Sequence, residues 1–243
     1  VRSVRLALLG RATPLAILPL GTANNIARSL SVDGSPKELI EHFPDAQRTL
    51  FDAGVVKGPW GRTAFLESFG VGLFPRVLEV KENEEHAINR RVAQLEGLER
   101  GYALFREVLL ETEPVNVKLR IDDEDVSGDF LAVQIMNIPV VGPNLPLAQD
   151  VDVSDGLLDV VLVTEAEREE LASHLAKRIE GEDSPLNLPV RRGRNLAIAF
   201  GSAPVSLDDE LWPDKKAGTM RDVRAVEITV QPGALHVLRG GGG

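Results

Sequence analysis

From about residue 49 onward the sequence breaks into short β-like segments separated by glycine, proline and aspartate. This rhythm constrains the fold more than anything else in the chain. The segments fall at 49–56, 63–73, 116–121, 128–137 and 157–163, then at 195–199, 205–207, 225–230 and 234–238. Strands this short, with turn residues between them, predict an antiparallel sandwich. Two helical stretches interrupt the run. Residues 86–111 are long, charged and periodic, carrying Leu95, Leu98, Tyr102, Leu104 and Phe105; residues 165–179 are shorter and amphipathic, with Thr164 placed to cap them.

The beginning of the chain reads differently. Residues 1–9 look like the end of a helix stopped by Gly10, 15–20 like a buried strand bounded by Pro14 and Gly21, and 24–30 like the start of a helix. A strand, a Gly-Thr turn and a helix are half of a β-α unit. The expected fold class is therefore α+β in two domains: a partial α/β domain over 1–47 and a larger antiparallel β-sandwich-like domain over 48–243.

With 243 residues the chain is long enough for these cores. Its formal charge of -10 argues against a nucleic-acid partner, which wants a basic face. There is no cysteine, so disulfides and thiolate metal sites are excluded. No apolar run approaches the roughly 20 residues of a membrane span, and no signal peptide is visible, so a soluble, cytoplasmic protein is expected.

Three stretches can carry chemistry. In LPLGTANNIARSL (18–30), Gly21 allows a sharp turn and Thr22 adds a hydroxyl beside a helix start, where anions are favoured; the plainer reading is that Thr22 or Asn24 only caps the helix. In QDVDVSDGLLDV (149–160), Asp150, Asp152 and Asp155 crowd one turn and can suit a hard cation, or mark a hairpin turn at Asp155-Gly156 with its acids in water. In VSLDDEL (205–211), Asp208, Asp209 and Glu210 should repel one another and raise a carboxyl toward the range of a general base, or simply form a solvated turn. His42, His86, His174 and His236 show no metal-ligand spacing, and His86 and His174 are expected on solvated helices. Arg191 to Arg194 form a basic cluster with no assigned role.

These stretches together resemble the diacylglycerol-kinase-like lipid kinases, which include bacterial lipid kinases and the sphingosine and ceramide kinases. LPLGTANNIARSL is similar to that family's PLGTxNDFA segment, with Asn25 where Asp is usual; FLESFGVG (65–72) is similar to FLNxxxxG, with Glu67 where Asn is usual. DGLLDVVLV (155–163) matches closely, although Pro143 and Asn144 stand where glycines precede it. DDE at 208–210 resembles a D-G-E motif with Asp209 in place of Gly, and PGALHVL (232–238) resembles the closing strand. The family's GGDGT motif would lie ahead of Val1, so the resemblance implies an N-terminally truncated chain whose phosphate-cradling glycines fall outside this sequence.

The resemblance implies an ATP-dependent lipid kinase with Mg²⁺. Gly21, Thr22 and Asn24 would contact the nucleotide. Glu210 would be the proton acceptor, with Asp208 its motif partner. A structural Mg²⁺ would be held by the Asp155 side chain and the carbonyls of Asp152 and Leu157. The partners implied are ATP, a lipid with a free hydroxyl, a transient membrane surface and possibly a second copy in a homodimer. The alternatives are a catalytically silent lipid- or nucleotide-binding relative and an NAD-kinase-like enzyme acting on a soluble substrate.

Overall fold

The computed structural model describes residues 7–82, 95–201, 203–212 and 225–239. In chain order its main elements are β1 (Pro14–Ala16), α1 (Asn25–Ser29), α2 (Pro36–His42), β2 (Gln47–Gly58), β3 (Gly61–Phe65), β4 (Ser68–Gly72) and α3 (Leu73–Glu82). There follow α4 (Gly97–Glu111), β5 (Val115–Ile121), β6 (Glu124–Asp125), β7 (Gly128–Phe130), β8 (Ala132–Met136), β9 (Val140–Val141), β10 (Leu145–Pro146) and β11 (Leu158–Val163). The last are α5 (Arg168–Ile179), β12 (Val190–Gly193), β13 (Asn195–Phe200), β14 (Val205–Leu207), β15 (Glu210–Trp212) and β16 (Ala225–Arg239).

Apart from β9 and β10, which pair as a separate two-stranded ribbon, the strands form two sheets. One runs β3-β2-β16-β13-β5-β6, with β7 also on β5 and β1 beside β16; the other runs β12-β11-β8-β4-β14-β15. All pairings are antiparallel except β1 with β16. The sheets face each other across a core that includes Val56, Phe65, Leu119 and Ile228 from the first and Phe69, Ile135, Val160 and Leu207 from the second. On the far side of the second sheet lie α3, α4 and α5, burying Phe74, Phe105, Leu109, Leu171 and Leu175 against Met136, Val161 and Val163. The fold is thus mixed helix and sheet with the expected β-sandwich.

The N-terminal segment packs on one end of the first sheet. Ala27, Leu30, Val32 and Leu39 share a cluster with Phe51, Leu66, Leu235 and Val237. The expected β-α unit is present, but its strand is short and its helix spans only five residues.

Several sequence expectations change in detail. Residues 63–73 are two strands with a corner at Leu66-Glu67, and the end of that stretch turns into α3, which the sequence reading missed. Gly72 makes that switch: its φ is 87°, and a Cβ there would come within 2.3 Å of the Leu131 carbonyl oxygen. The stretches at 225–230 and 234–238 are one strand, bulged where Gln231 and Leu235 shift register against β2, beside Pro232 with its missing N–H. The described part of the long helical stretch is α4; His86 lies outside the described residues. His174, expected in water, is 2% exposed, because α5 turns its face toward the core. Among the described residues, no helix is long and apolar enough to cross a membrane.

Candidate functional site

The Gly-Thr turn is held from within. Asn24 adopts φ 52°, its Oδ1 accepts from the Gly21 N–H at 2.7 Å, and its Nδ2 donates to the Gly21 carbonyl at 2.7 Å. Neither plain capping expectation describes this turn, because Asn24 makes no side-chain cap and spends its amide on Gly21 instead. Asn tolerates the left-handed region through such local bonding. Thr22 is left exposed at the tip.

The next residue, Asn25, is buried, and its Nδ2 donates to Glu67 Oε2 at 3.2 Å and to the Gly142 carbonyl at 3.1 Å. The two departures noted in the sequence, Asn25 for Asp and Glu67 for Asn, therefore touch.

Across the opening lies the acidic turn between β14 and β15. Asp208 Oδ1 accepts from three backbone N–H groups, of Leu66 at 3.1 Å, Glu67 at 2.8 Å and Ser68 at 3.3 Å. Its own N–H donates to the Ser68 carbonyl at 2.7 Å. Asp208 thus latches the β3–β4 corner to the turn. Asp209 and Glu210 are exposed. Loss of solvent beside the crevice pushes the Asp209 carboxyl up, and Glu210 next to it adds to the rise, while Lys81 opposes it. The geometry gives Asp209 as strong a position as Glu210. Sequence reasoning passed over it because the family motif has glycine there.

Two concavities meet at this turn. A crevice of about 800 Å³ is lined by Thr22, Asn24, Glu67, Asp208, Asp209 and Glu210 among others. A cavity of about 480 Å³ lies under α3 and α4, walled by Phe74, Val77, Leu98, Leu104, Phe105 and Val141. Thr22, Asp208 and Asp209 line both. The structure thus brings Gly21, Thr22, Asn24, Asp208 and Glu210 to one crevice, next to an apolar cavity of ligand size.

The other acidic turn lies elsewhere: Asp152, Asp155 and Leu157 line neither concavity. Asp155 Oδ1 accepts from the Leu157 N–H at 2.9 Å, and Oδ2 pairs with Arg192 at 2.8 Å. Arg192 also holds the buried Asp159 at 3.0 Å. Burial pushes the Asp159 carboxyl up, Arg192 pulls it back, and Asp155 adds to the rise. Asp152 Oδ1 accepts from Ser154 N–H and Oγ. Both Asp155 oxygens are therefore engaged, one of them by a fixed cation. Among the described residues no group of three or more His, Cys, Asp or Glu converges to hold a metal. The expected Mg²⁺ set, one carboxylate and two backbone carbonyls, is not a group of that kind, and in this structure Arg192 pairs with the Asp155 oxygen Oδ2.

Asp52, which sequence reasoning did not single out, ties this turn to the sheet. Fully buried, it accepts from Gly156 N–H and Gly233 N–H, each at 2.7 Å. Burial raises its carboxyl, and those two N–H donors lower it. Only its position on β2, opposite the bulge, exposes the role.

Residues 1–56 match the diacylglycerol kinase catalytic domain, and residues 81–239 match the YegS C-terminal NAD kinase beta sandwich-like domain. A "probable lipid kinase YegS-like" of Stenotrophomonas maltophilia (strain K279a) is 29% identical over 161 residues, covering 65% of this chain and 49% of that protein. One of Pseudomonas aeruginosa (strain UCBPP-PA14) is 28% identical over 225 residues, covering 92% of this chain and 67% of that protein. A diacylglycerol kinase of Mycobacterium tuberculosis (strain ATCC 25618 / H37Rv) is 23% identical over 235 residues, covering 96% and 71%. The chain thus spans about half to two thirds of the length of these relatives. A crystal structure of a diacylglycerol kinase from Bacillus anthracis str. Sterne superposes with TM-score 0.69 at 18% identity, covering 96% of this chain and 71% of that one, and so shares the fold. With a domain match extending over more than half its residues, the chain belongs to the diacylglycerol-kinase-like lipid kinase family and carries its YegS C-terminal NAD kinase beta sandwich-like domain.

Proposed function

We propose that this chain belongs to an enzyme that transfers the γ-phosphoryl group of ATP to the hydroxyl of a lipid of the diacylglycerol kind. The observation that carries this reading is the single crevice lined by both Thr22 and Glu210, continuous with an apolar cavity through Thr22, Asp208 and Asp209. A chain of methylenes gains by leaving water for that cavity, and its hydroxyl then lies at the acidic turn. Thr22, on a turn braced by Asn24 and Gly21, contacts the nucleotide. The lipid oxygen attacks the γ-phosphorus, the new O–P bond forms as the bond to ADP breaks, and Glu210 takes the hydroxyl proton. Asp208 positions the turn, since its Oδ1 is already bound to three N–H groups. Asp209 stands beside Glu210 on the same turn.

Four carboxylates face the crevice, Glu67, Asp208, Asp209 and Glu210, and they oppose a bare polyphosphate. This supports ATP entering with Mg²⁺, which neutralises phosphate charge when bound; Asp209 is the exposed carboxylate that would hold it.

The test is ATP-dependent labelling of dioctanoylglycerol, sphingosine and NAD by the intact protein. Labelling of a lipid supports the reading. Preferential labelling of NAD contradicts it in favour of a soluble-substrate kinase, and ATP or lipid binding without turnover favours a silent relative.

A further inference from the structure

Strand alternation sends Phe69, Val71, Val133, Ile135, Val205 and Leu207 into the core between the sheets. It therefore turns Ser68, Gly70, Gln134 and Ser206 toward the helices. Ser206 is paired with Gly70, and Gly70 with Gln134, so these three form one row across β14, β4 and β8. Gly70 leaves a gap in the row. A Cβ there would come within 2.4 Å of Gln134 Oε1 and 2.5 Å of Ser206 Oγ. The two polar atoms converge on the space above the glycine.

Both residues are 1% exposed and both line the cavity under α3 and α4. Gln134 Nε2 donates to Ser68 Oγ at 2.7 Å, which holds one end of the amide against a hydroxyl that can donate or accept. Gln134 Oε1 and Ser206 Oγ, however, are buried without a hydrogen-bond partner. Folded proteins rarely leave such groups unmatched. Phe74, Val77, Leu98, Leu104 and Phe105 line the cavity beside the row, while Lys81, Arg100, Asp208 and Asp209 give it a charged part, so a ligand with an apolar chain, one polar linkage and a polar head suits both the wall and the row.

We propose that Gln134 and Ser206 form a seat for the ester or amide carbonyl that joins the acyl chain to its headgroup, and so select acylated lipids over ether-linked or plain alkyl ones. The identity of the ligand rests on the lipid-kinase reading above; the seat itself rests on the two unmatched atoms. Ser206 donates its hydroxyl proton to the carbonyl oxygen. A half-turn of the Gln134 amide places Nε2 over Gly70 as a second donor while Oε1 accepts from the Ser68 hydroxyl. An ether linkage has no carbonyl and leaves these donors poorly matched.

The experiment compares dioctanoylglycerol with its dioctyl ether analogue, using the intact protein and the double variant Gln134→Leu/Ser206→Ala. The intact protein is expected to phosphorylate the ester with kcat/KM at least roughly tenfold above the ether. The variant is expected to bring that ratio near one while melting close to the parent, since removal of two unmatched polar atoms offsets loss of the Gln134–Ser68 hydrogen bond. Equal use of both lipids by the intact protein overturns the seat, as does a preference that survives in the variant or a variant that melts well below the parent. If no lipid is phosphorylated, the kinase reading fails and melting shifts decide the seat alone. It stands if the ester, but not the ether, raises the melting temperature of the parent and not of the variant. It falls on any other pattern.

Discussion

Asn25 carries a carboxamide where related chains carry a carboxylate, and Glu67 carries the reverse. Read one at a time from sequence, each looks like an erosion of the motif. The contact at 3.2 Å shows that they are one feature, a single hydrogen bond between the two departing positions. No spacing rule connects positions this far apart, so only the fold reveals it. The exchange predicts strong coupling. Asn25→Asp puts two carboxylates together at a buried position and should cost about 2–3 kcal/mol of stability. Adding Glu67→Asn should recover most of that loss. Denaturant unfolding of the two singles and the double checks it, and additive losses would show that the pair is not coupled.

Arg192 repays the same scale of attention. It stood in a basic cluster without a role, yet it binds Asp155 and the buried Asp159 together. Arg192 already supplies a cation to Asp155 and Asp159, so EDTA or added Mg²⁺ should leave the melting temperature of the ligand-free chain little changed. Arg192→Met should destabilise by roughly 2 kcal/mol near neutral pH, less than for a fully buried pair because the Arg192 side chain is 42% exposed. Its loss should shrink on acidification, since a carboxyl raised by burial costs stability only where it is ionised. A melting temperature that rises with Mg²⁺ would restore the metal.

At the scale of elements, the alternation of apolar residues found most strands of both sheets, and 205–207 coincides with β14, but the short edge strands β6, β12 and β15 were missed. It failed where one strand stops without a polar break. Residues 71–75 stay apolar as β4 gives way to α3, and the change is made by the backbone at Gly72 rather than by side-chain pattern. It also failed on α5. Charged residues fill much of that helix, but the face toward the core carries Leu171, Ala172, His174 and Leu175. Burial, the largest effect, lowers the pKa of His174 below its ordinary value of 6.5, with Arg178 adding to it, although Ser184 and Asp183 oppose the shift.

The sign of the consequence follows directly. In the unfolded chain His174 binds a proton as pH falls through about 6.5, while in the folded chain it resists, so unfolding takes up a proton and stability falls with acidification. Between pH 7.5 and 5.5, with slope at most about 1.4 kcal/mol per pH unit, the parent should lose more stability than His174→Gln. Denaturant melts at the two pH values check this. Equal losses in parent and variant would place the titration elsewhere.

For the molecule as a whole, the two-sheet sandwich with one helical face and a small N-terminal β-α piece explains why distant motifs meet. The strand pairing of β4 with β14 sets the 208–210 turn beside the β3–β4 corner. The packing of α1 on Phe51 and Leu235 sets the Thr22 turn opposite. The resemblance in sequence named these residues, and the fold supplies what it lacked: their shared crevice, the latch made by Asp208, the exposed Asp209, and the polar row beneath the helices. Gln134 and Ser206 had no signal in sequence, since their meaning depends on the register of three strands.

The measurement that bears most directly on the account is lipid phosphorylation by the intact protein beside Glu210→Gln and Asp209→Asn at saturating ATP. If the acidic turn takes the hydroxyl proton, Glu210→Gln should lower kcat by roughly 10²–10⁴-fold with the KM for ATP little changed. Asp209→Asn should give a smaller loss. Retention of most of the activity in Glu210→Gln would contradict the account, and a collapse confined to Asp209→Asn would move the base one residue back.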